Sequence, residues 1–166
     1  MDSQFVQPIG TYTATPQGPL GQKVWSERRC LLYGRFLDAV TYTTGHVCCY
    51  AGTVALPYQF TNDVDGTNAL LRFAGVVPNA GLNGVAVTAV PSQNDYGYIQ
   101  IEGPHSAVLN DDTDFAAGDT AIMISTDGTC QRVAAATTTG SLLYVGFAPA
   151  AITATTGALM VKSLIW

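Results

Sequence analysis

Two histidines, four cysteines and a run of aspartates are the residues of this chain whose types could do chemistry. Nucleophilic catalysis needs a nucleophile, a base and a group that orients the base. His105 follows Gly103-Pro104, which places it at a strand end or turn, and the adjacent Ser106 cannot face it in an extended chain. No Gly-x-Ser-x-Gly elbow occurs. Cys30, Cys48, Cys49 and Cys130 form no Cys-x-x-Cys pair. Neighbours in a strand point to opposite faces, so Cys48 and Cys49 do not readily share a metal or a partner. All four are expected as buried, reduced thiols. A zinc site from His46, Cys48 and one distant cysteine is the alternative.

The run Asn110-Asp111-Asp112-Thr113-Asp114, with Asp119 behind it, offers the alternating hard oxygens that calcium prefers. It lacks the sixth-place glycine and the closing glutamate of an EF-hand, so it reads as a solvated turn. Asp63-Val64-Asp65-Gly66 reads the same way, because Ala74 stands where a ligand should close the loop. Glu27 and Glu102 are the only glutamates, too isolated for a paired-carboxylate mechanism. Gly-rich phosphate loops are missing, and Lys23 and Lys162 are the only lysines. No catalytic, cofactor-binding or metal-ligating residue is assigned, and no enzyme class is supported.

The composition points to contact instead. The 166 residues suffice for one domain with a sizeable core. Charged residues are 11% of the chain, where about 25% is usual. Seven basic and twelve acidic side chains are sparse cover for a folded monomer of this size. The net charge of −5 excludes the basic footprint of a nucleic-acid binder. High hydrophobicity with low charge excludes disorder. The most apolar region, Val145 to Val161, is broken by Pro149 and Gly157, so no membrane span is expected. The start, Met1-Asp2-Ser3-Gln4, is acidic with no apolar run behind it, so no secretory signal is expected.

The elements that must position these residues are strands. Residues 1–25 carry breakers every few positions, in Gln7-Pro8-Ile9-Gly10 and in Thr15 to Gly21. Between the breakers lie apolar anchors, among them Phe5, Ile9, Tyr12 and Trp25. This is an extended arm that docks, on its own domain or on a neighbour, and residues 26–166 form a single β-rich domain. Strand-like runs are Leu31 to Leu37, Thr41 to Tyr50, Gly84 to Val90, Tyr98 to Glu102, Thr120 to Thr126, Cys130 to Ala135, Leu142 to Phe147 and Leu159 to Ile165. In Tyr98-Ile99-Gln100-Ile101-Glu102 the alternation sends Ile99 and Ile101 inward and Gln100 and Glu102 outward. Asp127-Gly128 marks a hairpin. One short helix is expected near Thr67 to Phe73, and Ala134 to Gly140 is a loop. The fold class is all-β, a small β-sandwich or β-barrel with an extended N-terminal arm. Arg28-Arg29 after Glu27 caps the arm–domain junction. Tyr42, Tyr50, Tyr58, Tyr96 and Tyr98 are expected as half-buried sheet residues, with a sugar- or base-stacking platform as the alternative.

The order of several short segments resembles the small decoration (cement) proteins of tailed-bacteriophage capsids. The segments are Tyr96-Gly97-Tyr98-Ile99-Gln100-Ile101-Glu102-Gly103, Ala117-Gly118-Asp119-Thr120-Ala121-Ile122, Thr126-Asp127-Gly128-Thr129 and Val145-Gly146-Phe147-Ala148, with Tyr33-Gly34-Arg35-Phe36 and Phe73-Ala74-Gly75-Val76 upstream. The resemblance covers Leu31 to the C-terminus and leaves out the arm. It implies a β-rich domain on the outer face of a phage head, often trimeric, bridging neighbouring major capsid proteins. It also implies assembly in a bacterial host cytoplasm. The partners so implied are the major capsid protein and neighbouring copies of the chain. Contact residues expected on this reading are Phe5, Ile9, Tyr12, Trp25 and Trp166. The rival reading is a carbohydrate- or host-surface-binding β-sandwich, with a viral tail or fibre component as a close cousin of the first.

Overall fold

The computed structural model describes residues 5–37, 41–51, 58–63, 69–78, 90–111, 114–123, 128–133 and 144–163, with backbone alone for 69–71. These residues hold ten strands and no helix. The strands are β1 (Lys23–Ser26), β2 (Arg29–Phe36), β3 (Val47–Ala51), β4 (Gln59–Thr61), β5 (Ala69–Val76), β6 (Tyr96–Leu109), β7 (Thr120–Met123), β8 (Cys130–Val133), β9 (Tyr144–Phe147) and β10 (Thr156–Lys162). The fold is all-β, as the strand-like runs predict.

Hydrogen bonding closes the first half into a ring. β2 runs antiparallel to β6 (Leu32 opposite Ile99) and parallel to β4 (Phe36 opposite Phe60). β4 pairs with β3, β3 with β5, and β5 returns to β6 at Val76 and Gln100. A closed five-stranded ring leaves no free edge among its members. Its interior holds Leu32, Phe36, Cys48, Phe60, Ile99 and Ile101. Phe36 is the hub, with Tyr12, Tyr42 and Phe60 all meeting it edge-to-face at centroid distances of 5.5, 5.2 and 5.7 Å. Such ring pairs add to area burial.

β6 is fourteen residues long and leaves the ring at Gly103, whose φ is +100°. Beyond that kink it pairs with β10 (Pro104 opposite Met160), followed in order by β9, β7 and β8. This second sheet folds over the outside of β3 and β5. A second core forms between them, with Val47, Cys49, Phe73 and Val76 on one side and Met123, Val145, Leu159 and Val161 on the other. Barrel and sandwich are thus combined, with β3 and β5 serving both. Cys48 enters the ring and Cys49 enters the second core, as alternation requires.

The arm lies on the outer face of β2 and β6. Ile9, Val24, Leu31, Tyr33 and Tyr98 form a third cluster, with Phe5 and Val6 packed on it. The Val6 N–H donates to Tyr98 Oη at 3.1 Å, Tyr33 Oη donates to Gln7 Oε1 at 3.1 Å, and Thr13 exchanges backbone hydrogen bonds with Tyr96.

Three expectations change. The segment expected as a short helix is strand from Ala69 onward, paired with β3; Thr67 and Asn68 lie outside the described residues. Phe73, Ala74, Val76 and Val77 are all buried, because β5 has a core on each side, and a strand covered on both faces loses its alternation. Gln100 is buried rather than outward-facing, since the arm and the kinked strand cover that face, and its Nε2 donates to Gly103 O and Pro104 O at 3.1 and 2.9 Å. His105 sits inside β6, not at its end, because glycine's positive φ bends the strand without ending it. β7 and β8 pair antiparallel, Met123 opposite Cys130, and Gly128, shortly before β8, has φ +69°. Asp127, residues 84–89 and residues 134–140 lie outside the described residues.

Candidate interaction surface

Among the described residues, the histidines and cysteines make contacts within the fold. His105 is buried, with Nε2 at 3.0 Å from Val77 O and Nδ1 accepting the Ala107 N–H at 3.3 Å. The Nε2–H therefore donates to Val77, a neutral tautomer that ties β6 to the end of β5. Burial lowers its pKa to about 4, with the hydrogen bond to Val77 opposing the shift and Arg29 adding to it. The sign of the linkage follows. Below about pH 6.5 the unfolded chain binds a proton that the folded chain refuses, so stability falls from there down to about pH 4 and then levels. The full loss is on the order of 3 kcal/mol. Urea midpoints at pH 7 and pH 4.5 should differ more for the native chain than for His105→Gln; equal differences would assign the acid loss to other groups.

His46 accepts the Thr43 N–H at 3.1 Å through Nδ1, with Asn62 Nδ2 3.0 Å away, and so stitches the turn before β3. All four cysteines are buried and none forms a disulfide, and burial raises the thiol pKa of Cys30 and, furthest, of Cys48. That is the opposite of activation. No group of three potential metal ligands stands together among the described residues. In the acidic run, Asp114 and Asp119 meet Arg132 at 3.3 and 3.6 Å, and Asp119 also accepts the Ala116 N–H at 2.8 Å. Arg29 pairs with Glu27 at 3.4 Å at the arm–domain junction. Tyr42, Tyr50 and Tyr98 are buried and Tyr58 and Tyr96 half-buried, so these five form no exposed stacking platform.

The expected contact residues separate. Ile9 is buried, Phe5 stacks edge-to-face on Tyr98 at 5.9 Å, and Tyr12 packs into the ring against Phe36. All three face the chain's own sheet. Burial raises the Tyr12 phenol well above its usual range, with Cys48 as a lesser cause. Trp25 alone is presented, 61% exposed on β1. Trp166 lies outside the described residues.

A surface that sequence reasoning missed lies on the outer face of the second sheet. Directly opposed residues of a ladder share a face. One row crosses five strands, running Pro104, Met160, Phe147, Thr120 and Val133. Phe147 is 42% exposed, Pro104 is exposed, and the other three are half-buried. Ile122 opposite Tyr144 extends the face. Lys162, two residues from Met160, and Glu102, two from Pro104, share this face, with Lys162 Nζ 2.7 Å from Glu102 Oε1. The result is a largely apolar strip flanked by one ion pair. No signal in the sequence distinguished it, since Leu159, Met160 and Val161 are all apolar and only the fold turns Met160 outward.

Among solved structures, the head fiber gp8.5 N base of bacteriophage phi29 is a distant fold likeness. It has 14% identity and a TM-score of 0.43, over 82% of this chain and 98% of that one. No family model and no curated protein matches the sequence.

Proposed function

We propose that this chain is a structural protein of a phage virion, a cement protein that lies on the outer surface of the head and bridges neighbouring major capsid proteins. The observation that carries the reading is the apolar row centred on Phe147, on a domain with few charges. A largely apolar face whose Lys162 is paired with Glu102 suits protein–protein contact. The order of motifs from Leu31 onward supports the same role. The net negative charge suits the outside of a shell better than its DNA-facing interior. The mechanism is linkage, in which a protein that binds the assembled shell but not its separated subunits stabilises the shell by mass action. Contacts to several subunits multiply the effect. No catalytic step belongs to this reading.

Co-sedimentation with capsids that lack the protein tests it. The native chain should travel with shells at a fixed ratio. Phe147→Asp should still fold cooperatively, because Phe147 is 42% exposed, yet bind at least about tenfold more weakly. Failure of the native chain to bind any shell would refute the proposal. Deleting the arm is the wrong test, since it uncovers Tyr33 and Tyr98.

A further inference from the structure

On the basis of the cement reading, we infer that Trp25 and Phe147 anchor one continuous docking face, and that this face takes an acidic surface of the shell protein. Opposed residues of a ladder share a face. Trp25 stands opposite Cys30, Cys30 opposite Glu102, and Glu102 opposite Lys162. One row therefore crosses β1, β2, β6 and β10 and sets Trp25 about 14 Å from Lys162 along the sheet. Met160, two residues from Lys162 on the same face, stands opposite Phe147. The row that ends in Trp25 and the row through Phe147 are thus neighbours. The electrostatics agree with this placement. Burial raises the Cys30 thiol, and the charges of Lys23, Glu102 and Lys162 all act on it. Burial also raises the Tyr144 phenol, and the charge of Lys162 opposes that shift. Lys162 therefore lies within reach of both the Trp25 row and the strand that carries Phe147. The two aromatics are exposed, Trp25 by 61% and Phe147 by 42%, and such side chains are enriched where proteins meet.

Charge selects the occupant. Gly103 follows Glu102, and a Cβ on it would overlap Arg28 O and come within 3.0 Å of Arg29 Cα, so the β1–β2 turn stands beside the Glu102–Lys162 pair. Among the described residues this corner carries Lys23, Arg28, Arg29 and Lys162 against Glu27 and Glu102. That is a positive excess on a chain of net charge −5. The complementary surface is acidic. A second copy turned face to face would set the same excess against itself, which disfavours a twofold pair. A nucleic acid would meet the repulsion of the chain's negative remainder.

The chain has only two lysines, Lys23 and Lys162, and both are exposed on this face. Amine-selective acetylation read by mass spectrometry therefore maps the face in the native chain. With an excess of shells that lack the protein, acetylation of both lysines should slow at least about threefold. Shell binding should weaken as sodium chloride rises. Lys23→Glu together with Arg28→Glu should weaken binding at least about tenfold at low salt and flatten its salt dependence. Trp25→Ser should weaken it at least about tenfold at any salt. The lysine readout needs no variant, so it stands even where a substitution disturbs the fold. A native chain that binds shells with both lysines as reactive as before overturns the inference and leaves the cement reading in place. A native chain that binds no shell overturns both. Lysines protected by a rising concentration of the chain alone assign the face to a second copy and overturn the inference as well.

Discussion

Tyr98→Ala is expected to lower the stability of the domain by about 3–5 kcal/mol, the range for a large aromatic removed from a core, and to release the arm. Tyr98 is fully buried, in contact with the sheet on one side and the arm on the other. Its ring stands 5.1 Å from that of Tyr33 and 5.9 Å from that of Phe5, and its hydroxyl accepts the Val6 N–H. Alanine there removes the floor on which Phe5, Val6 and Ile9 rest. The arm has few other sources of order, since its breakers prevent regular structure of its own. Proteinase K should therefore cut within residues 5–20 before the rest of the domain unfolds, and the urea midpoint should fall. Tyr98→Phe separates the two contributions. It keeps the ring and loses one hydrogen bond, worth about 1 kcal/mol. An alanine variant within about 0.5 kcal/mol of the native chain, with the arm still protected, would show that the arm holds itself.

Gly103→Ala is the second large effect. The backbone there has φ +100°, outside the comfortable range of any side-chain-bearing residue, and a Cβ would overlap Arg28 O and come within 3.0 Å of Arg29 Cα. Backbone atoms of the β1–β2 turn cannot rotate out of the way. The conformational cost is about 1–2 kcal/mol and the overlap adds roughly 1–3 kcal/mol. Gly118→Ala is the control, because Gly118 has φ +90° but open space around its missing Cβ. Its loss in thermal or urea stability should be the conformational part alone. If the two substitutions cost the same, the hairpin yields and the close approach at Gly103 is unimportant. If Gly103→Ala costs more, the kink in β6 sets where the hairpin, and with it Trp25, is held.

Much of the secondary structure was legible because period-2 patterning and turn chemistry are local. Ile99 and Ile101 enter the ring as their alternation predicts, Cys48 and Cys49 diverge, and β7 and β8 pair antiparallel. Errors fell where a strand is covered on both faces. The first part of β5, up to Phe73, shows no alternation and reads as a helix, while Phe73-Ala74-Gly75-Val76 reads as a strand motif. Gln100 looked like a surface residue because nothing near it in sequence announces the arm. Of the candidate contact residues, Trp25 is exposed, whereas Phe5, Ile9 and Tyr12 pack on the chain's own sheet; nothing local in the sequence marks Phe147 and Met160 as outward-facing.

The sequence by itself determined an all-β chain with a scarcity of charge and an N-terminal segment rich in breakers and apolar anchors. Those properties reside in composition, breakers and two-residue alternation, which each segment carries alone. Only the tertiary structure decided which apolar residues are covered. A strand offers two faces of similar character, and whether each meets a core, an arm or solvent depends on segments far away in the chain. Ring closure through β2 and β6, the kink at Gly103 and the fold of the second sheet over β3 and β5 bury Phe73 and Ile9 and leave Phe147 and Trp25 exposed.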